Sequence, residues 1–85
     1  MGDRLVGSVS HYFGGAGVAG ISVEGALAVG DTIHVVGHTT DLTQEVESMQ
    51  IEHEPVDTAG PGDQVGIAIT DRVRIHDRVF VADGD

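Results

Sequence analysis

Five histidines, a glycine-rich loop, a group of carboxylates and two adjacent aromatics are the residues through which this chain can do chemistry. His11, His34, His38, His53 and His76 are nitrogen donors, and four such side chains gathered together would hold a transition metal. No pair has the spacing of a metal helix or zinc hairpin. His34 and His38 are the nearest, and a glycine turn splits them. They read as strand-end residues, and no metal is expected. Gly14-Gly15-Ala16-Gly17 has the composition of a phosphate cradle. A phosphate loop opens a helix and usually carries a lysine. Here a strand pattern follows and lysine is absent from the chain, so nucleotide binding is not expected.

Glu45, Glu47, Glu52 and Glu54 are the densest carboxylates. Hydrolytic pairs need burial and unequal proton affinities, whereas alternation places Glu45 and Glu47 together on a solvated face. Ser8, Ser10, Ser22 and Ser48 lie in no Gly-x-Ser-x-Gly elbow, and there is no cysteine to act as a thiol nucleophile. The expectation is a protein that is not an enzyme and uses no cofactor.

One constellation remains: His11-Tyr12-Phe13-Gly14-Gly15. Two consecutive aromatics on a strand cannot both face the same core. One reading exposes an aromatic to stack on a base or pack on a protein. The other has Tyr12 cover an open end while Phe13 plugs the interior.

Short alternating segments must position these residues. Leu5–Tyr12 and Val18–Glu24 read as a hairpin around the glycine loop, followed by strands at Thr32–Val36, Gln64–Ile69 and Arg78–Ala82. A longer strand is expected over Leu42–Glu52. Val46 and Ser48 share one parity there, and Met49 and Ile51 the other, which predicts a bulge near Ser48-Met49. Val56–Gly62 reads as a loop, Thr70–Asp77 as a connector with a short strand at Val73–Ile75, and Asp83-Gly84-Asp85 as a frayed tail. Asp31, Asp63 and Asp77 each precede an apolar strand, which predicts one repeated device: an Asp accepting backbone hydrogen bonds in a turn.

Thirteen glycines and a β-branched apolar set in 85 residues fit a single all-β domain spanning residues 1–85, with an ordered core over about residues 4–82. No apolar run reaches membrane-spanning length, and a soluble, cytoplasmic protein with no membrane partner is expected. Fourteen acids face four arginines, for a formal charge of −10. A halophilic, acidic surface accounts for this, because the acids are scattered; a surface for a basic partner is the alternative. So few cations argue against strong phosphate-backbone binding, and no DNA is expected.

Val23-Glu24-Gly25, Leu27-Ala28-Val29-Gly30-Asp31-Thr32-Ile33, Val46-Glu47-Ser48-Met49 and Ala59-Gly60-Pro61-Gly62-Asp63-Gln64-Val65-Gly66-Ile67 occur in this order. With them, nearly the whole chain resembles the second domain of elongation factor Tu and of initiation factor 2. A similar barrel is found on some collagenase-like peptidases. The resemblance implies a small closed antiparallel Greek-key barrel of six or seven strands. It also implies a non-enzymatic binding module that contacts tRNA or a translation-related protein. A module docking on a larger enzyme or GTPase is the alternative. In elongation factors this barrel helps hold the aminoacyl end of tRNA against the GTPase domain. Carried over, the ligand-binding residues would be His11, Tyr12, Phe13, Gly14, Gly15 and Gly20 on the hairpin, with Glu47, Ser48, Met49 and Gln50 beside it. Two departures stand out. Gly7 occupies the position of an early aromatic of the elongation factors, and the 85 residues hold no GTPase domain.

Overall fold

A computed structural model describes residues 3–82; the Asp83-Gly84-Asp85 tail lies outside the described residues. Those residues form ten strands: β1 (Asp3–Phe13), β2 (Val18–Val23), β3 (Leu27–Ala28), β4 (Thr32–Val36), β5 (Asp41–Glu45), β6 (Met49–Ile51), β7 (Glu54–Val56), β8 (Thr58–Ala59), β9 (Gln64–Ala68) and β10 (Arg78–Ala82). Eight pair antiparallel in the order β5-β4-β10-β1-β2-β9-β6-β7, and β3 pairs with β8. Alternation turns Ala19, Ile21 and Val23 inward with Ile33, Val35, Val65, Ile67, Val79 and Val81. Burying each of the larger aliphatics contributes about 1.5–3 kcal/mol.

β1, β2, β4, β9 and β10 lie where alternation places them, to within two residues at either end. The strand count exceeds six or seven because β3, β7 and β8 are too short to show a period. Pro55 sits in β7 at the edge of the sheet, where a missing N–H costs no ladder bond. Val73 is buried without forming a strand, and Ile75 is exposed.

The stretch 42–52 is two strands rather than one bulged strand. Val46 and Met49 do both point inward. A three-residue corner, Val46-Glu47-Ser48, makes this possible by changing the strand's partner. β5 pairs with β4, and the Val46 N–H still donates to the Asp31 carbonyl at 2.8 Å. Beyond the corner, β6 pairs with β9 and β7. One continuous segment thus links the two ends of the sheet. Gln44 strengthens the link. Its Nε2 donates to the Ala68 carbonyl at 2.9 Å, and its Oε1 accepts the Thr70 N–H at 2.8 Å, as a neighbouring strand would.

The register slips lie instead in β1. One falls between Leu5 and Gly7 against β10, the other between Val9 and His11 against β2. The second makes Ser10 the unpaired residue. Val9 stays inside, and His11 and Phe13 emerge on the outer face.

The Asp device occurs three times with one geometry. Oδ2 of Asp31 accepts the Ala28 N–H at 2.9 Å, that of Asp63 the Gly60 N–H at 2.9 Å, and that of Asp77 the Arg74 N–H at 2.8 Å. Each Asp N–H returns a bond to the carbonyl of the same residue, at 3.1 Å in all three. The residue before each Asp has positive φ: Gly30 at 98°, Gly62 at 93° and His76 at 81°. Type II turns require that sign, and glycine supplies it without steric cost. Asp77 is itself buried, and a Cβ on Gly37 would collide with its carboxylate.

Candidate functional site

The bulge at Ser10 builds the site. Beyond it the rings of His11 and Phe13, two residues apart on one face of β1, lie parallel with centroids 5.9 Å apart and planes 7° apart. Ser10 Oγ donates to the Gly20 carbonyl at 3.2 Å and sits 3.3 Å from Nδ1 of His11, fixing the bulge against β2. Phe13 keeps 54% of its surface exposed, whereas Tyr12 turns the other way and packs on the core. The alternative in which Phe13 plugs the interior is therefore replaced by its opposite.

Register carries the site across the sheet. His11 pairs with Gly20, Gly20 with Gly66, and Gly66 with Gln50. Two glycines side by side leave a strip of bare backbone on the outer face, with His11 and Phe13 on one side and Gln50, Glu52 and His53 on the other. The result is an open groove of about 610 Å³, also lined by Ser10, Ala16, Val18, Gln64 and Val65. Among its lining residues Glu52 carries the one carboxylate, and none is lysine or arginine. Glu52 and His53 form the two-residue turn between β6 and β7, with φ of 51° and 67°.

Four of the expected residues line this groove: His11, Phe13, Gly20 and Gln50. Tyr12 lies beneath it. Gly14 and Gly15 form the hairpin tip, with Gly14 folded back over the Tyr12 ring. Glu47 and Ser48 sit exposed in the corner between β5 and β6, and Met49, only 1% exposed, belongs to the core. Gly66, Gln64, Glu52 and His53 were not anticipated. Gly66 was assignable to an outer face by its parity, but its place beside Gly20 depends on the pairing of β2 with β9, which no local pattern encodes. At Gly7, a Cβ would run into the Ser22 carbonyl oxygen, so no side chain fills the place of the missing aromatic.

A second cleft, of about 380 Å³, lies between residues 39–42 and Asp71, Arg72 and Arg74 and carries charges of both signs. Nearby, His34 Nε2 lies 2.7 Å from Asp41 and Nδ1 lies 3.3 Å from Asp3. The bond to Asp41, then that to Asp3, raises the His34 pKa above its ordinary value. Among the described residues no three His, Asp or Glu side chains gather as a metal site, and no helix is long and apolar enough to cross a membrane.

Residues 15–75, which include Gly15, the corner and both groove glycines, match the elongation factor Tu domain 2 family. The chain belongs to that family. An uncharacterised protease of Methanocaldococcus jannaschii is 39% identical over 77 residues, covering 89% of this chain and 19% of that protein. The C-terminal domain of a U32-peptidase-type protein of Geobacillus thermoleovorans superposes with a TM-score of 0.88 at 19% identity, over 94% of this chain and 93% of that one. The bacterial selenocysteine-specific elongation factor superposes with a TM-score of 0.66 at 20% identity, over 96% of this chain and 15% of that one. At these identities the superpositions speak to the fold, which is the β-barrel of domain 2. This elongation factor Tu domain 2 barrel spans about a fifth of the length of the curated relatives it matches.

Proposed function

We propose that this barrel is a non-catalytic recognition module that receives the exposed end of an RNA, specifically the terminal base and aminoacyl group of a charged tRNA. The observation that carries this reading is the glycine floor of Gly20 and Gly66 beside the parallel rings of His11 and Phe13. A flat base can lie against bare strands and an aromatic wall, and base–aromatic stacking contributes about 1–3 kcal/mol per base. A chain end brings few phosphates, which suits a groove without lysine or arginine. The family membership supports translation-related contacts, and the scattered acids support a salt-adapted surface.

The test is an NMR titration in molar potassium chloride with an aminoacylated acceptor-stem mimic and its deacylated twin. The reading expects shifts at Ser10–Gly20, Gln50 and Gln64–Gly66, larger for the aminoacylated form. No shifts at millimolar ligand would refute it.

A second reading rests on the longer relatives, in which a similar barrel accompanies a protease or collagenase. Here the same groove docks a segment of a larger protein. Co-purification of a protein partner that survives RNase treatment would favour it.

A further inference from the structure

The second cleft lies between two connections whose backbones are pinned. Val73, 1% exposed, anchors the β9–β10 connector in the core, and Arg72 and Arg74 on either side of it are exposed at the cleft. The Arg72 N–H donates to Asp71 Oδ1 at 2.7 Å, and the Arg74 N–H to Asp77 Oδ2 at 2.8 Å. Opposite, the Gly37 N–H closes the β4–β5 turn on the Thr40 carbonyl at 2.9 Å. Two of the four arginines of a chain of formal charge −10 thus meet at one place. Among the described residues neither guanidinium makes an ion pair or a hydrogen bond. Thr40 is only 7% exposed, and its hydroxyl has no hydrogen-bond partner among the described residues. No described side-chain nitrogen or oxygen is both enclosed and unpartnered, so this hydroxyl opens onto the cleft that Thr40 lines. Two carboxylates complete the lining. Asp41 is engaged by His34 at 2.7 Å, whereas Asp71 uses Oδ1 and leaves Oδ2 without a partner among the described residues.

We infer that this cleft binds a small zwitterion of the amino-acid class, with its carboxylate on Arg72, Arg74 and the Thr40 hydroxyl and its ammonium on Asp71. A guanidinium is a planar fork of donors that matches a carboxylate, and a hydroxyl adds one more donor. A carboxylate such as Asp71 only accepts, so it matches an ammonium, which only donates. Charge selects the zwitterion over a plain anion. The two arginines and two aspartates of the lining sum to zero, and the chain as a whole repels anions. A ligand with both charges and no net charge meets neither objection. The volume of about 380 Å³ admits a molecule of that size. The cleft shares no lining residue with the groove, so this inference stands independently of the RNA reading.

The experiment titrates the full chain with L-alanine, N-acetyl-L-alanine, L-alaninamide and inorganic phosphate, following the Thr40 amide and the Nε–H signals of Arg72 and Arg74 by NMR. Alanine carries both charges, the acetyl compound only the carboxylate and the amide only the ammonium. Alanine is expected to shift these signals and to bind about tenfold more tightly than either blocked form, as suits hydrogen bonds to charged groups. R72Q/R74Q should lose the binding with an unchanged thermal midpoint, since both side chains are exposed. D71N keeps an acceptor for the Arg72 N–H, and in it alanine and N-acetylalanine should bind alike. No shift at the solubility limit of alanine would overturn the inference. So would phosphate binding as tightly as alanine, which would make the cleft a general anion site, or a preference for alanine that survives in D71N.

Discussion

Gly20 and Gly66 face each other across β2 and β9, both on the outer surface, and together form the floor of the groove. They are not equivalent. A Cβ on Gly66 would meet Val18 Cγ1 at 3.4 Å, an ordinary contact, whereas one on Gly20 would press on His11 Cβ at 3.2 Å. Gly66→Thr should therefore fold with unchanged or slightly raised stability, since threonine favours strands. It should nonetheless weaken ligand binding about tenfold, roughly 1.4 kcal/mol, by standing in the trough. Gly20→Ala should lower the thermal midpoint. Calorimetry paired with ligand titration separates the two effects.

His76 is the odd member of the three Asp turns, since Gly30 and Gly62 hold the equivalent positive-φ places. Left-handed backbone costs a side chain about 1–2 kcal/mol, and the extra freedom glycine gives the unfolded chain offsets part of that. His76→Gly should stabilise the protein by about 1 kcal/mol, raising the thermal midpoint by roughly 4–8 °C for a domain of this size. Gly62→Ala should have the opposite sign, although no heavy atom lies within 4 Å of the added Cβ. Equal midpoints for wild type and His76→Gly would refute the strain argument.

Gln44 takes the place of a strand between β5 and the end of β9. Gln44→Ala should cost about 1 kcal/mol, the usual net value of a hydrogen bond or two at a solvated site. It should also speed hydrogen exchange at the Thr70 amide more than at the amides of β2. Gln44→Glu keeps the acceptor for Thr70 but loses the donor to Ala68, and its effect should be intermediate.

His34 bridges Asp41 on β5 and Asp3 on β1, and these bonds raise its pKa in the folded state. The native protein therefore holds the imidazole proton more tightly than the unfolded chain. The resulting stabilisation is complete below the unfolded value of about 6.5 and fades as pH rises through the raised folded value. His34→Gln should abolish this part of the pH dependence of the thermal midpoint. The effect should also shrink with salt, because both carboxylates reach solvent.

Periodicity made β2, β4, β9 and β10 legible, because each buries alternate residues on one face. The Asp turns were legible because the device is local, with its donor and acceptor three residues apart. The corner at Val46–Ser48 was seen as a phase slip but not as a change of partner, since Val46 and Met49 point inward under either account. The bulge at Ser10 was missed because small residues at Ser8 and Ser10 mask the parity of β1. That slip decides which aromatic is exposed. The groove itself joins residues from β1, β2, β9 and the β6–β7 turn, and only long-range register brings them together.

The central claim is that the end of a charged RNA lies on Gly20 and Gly66. An isotope-filtered NOE spectrum of the labelled barrel with an unlabelled aminoacylated acceptor-stem mimic tests it most directly. The account predicts contacts from the terminal base and aminoacyl protons to the Hα atoms of Gly20 and Gly66 and to the rings of His11 and Phe13. Contacts confined to another part of the outer surface, around Leu5 and Phe80, would contradict it, as would none under saturating ligand.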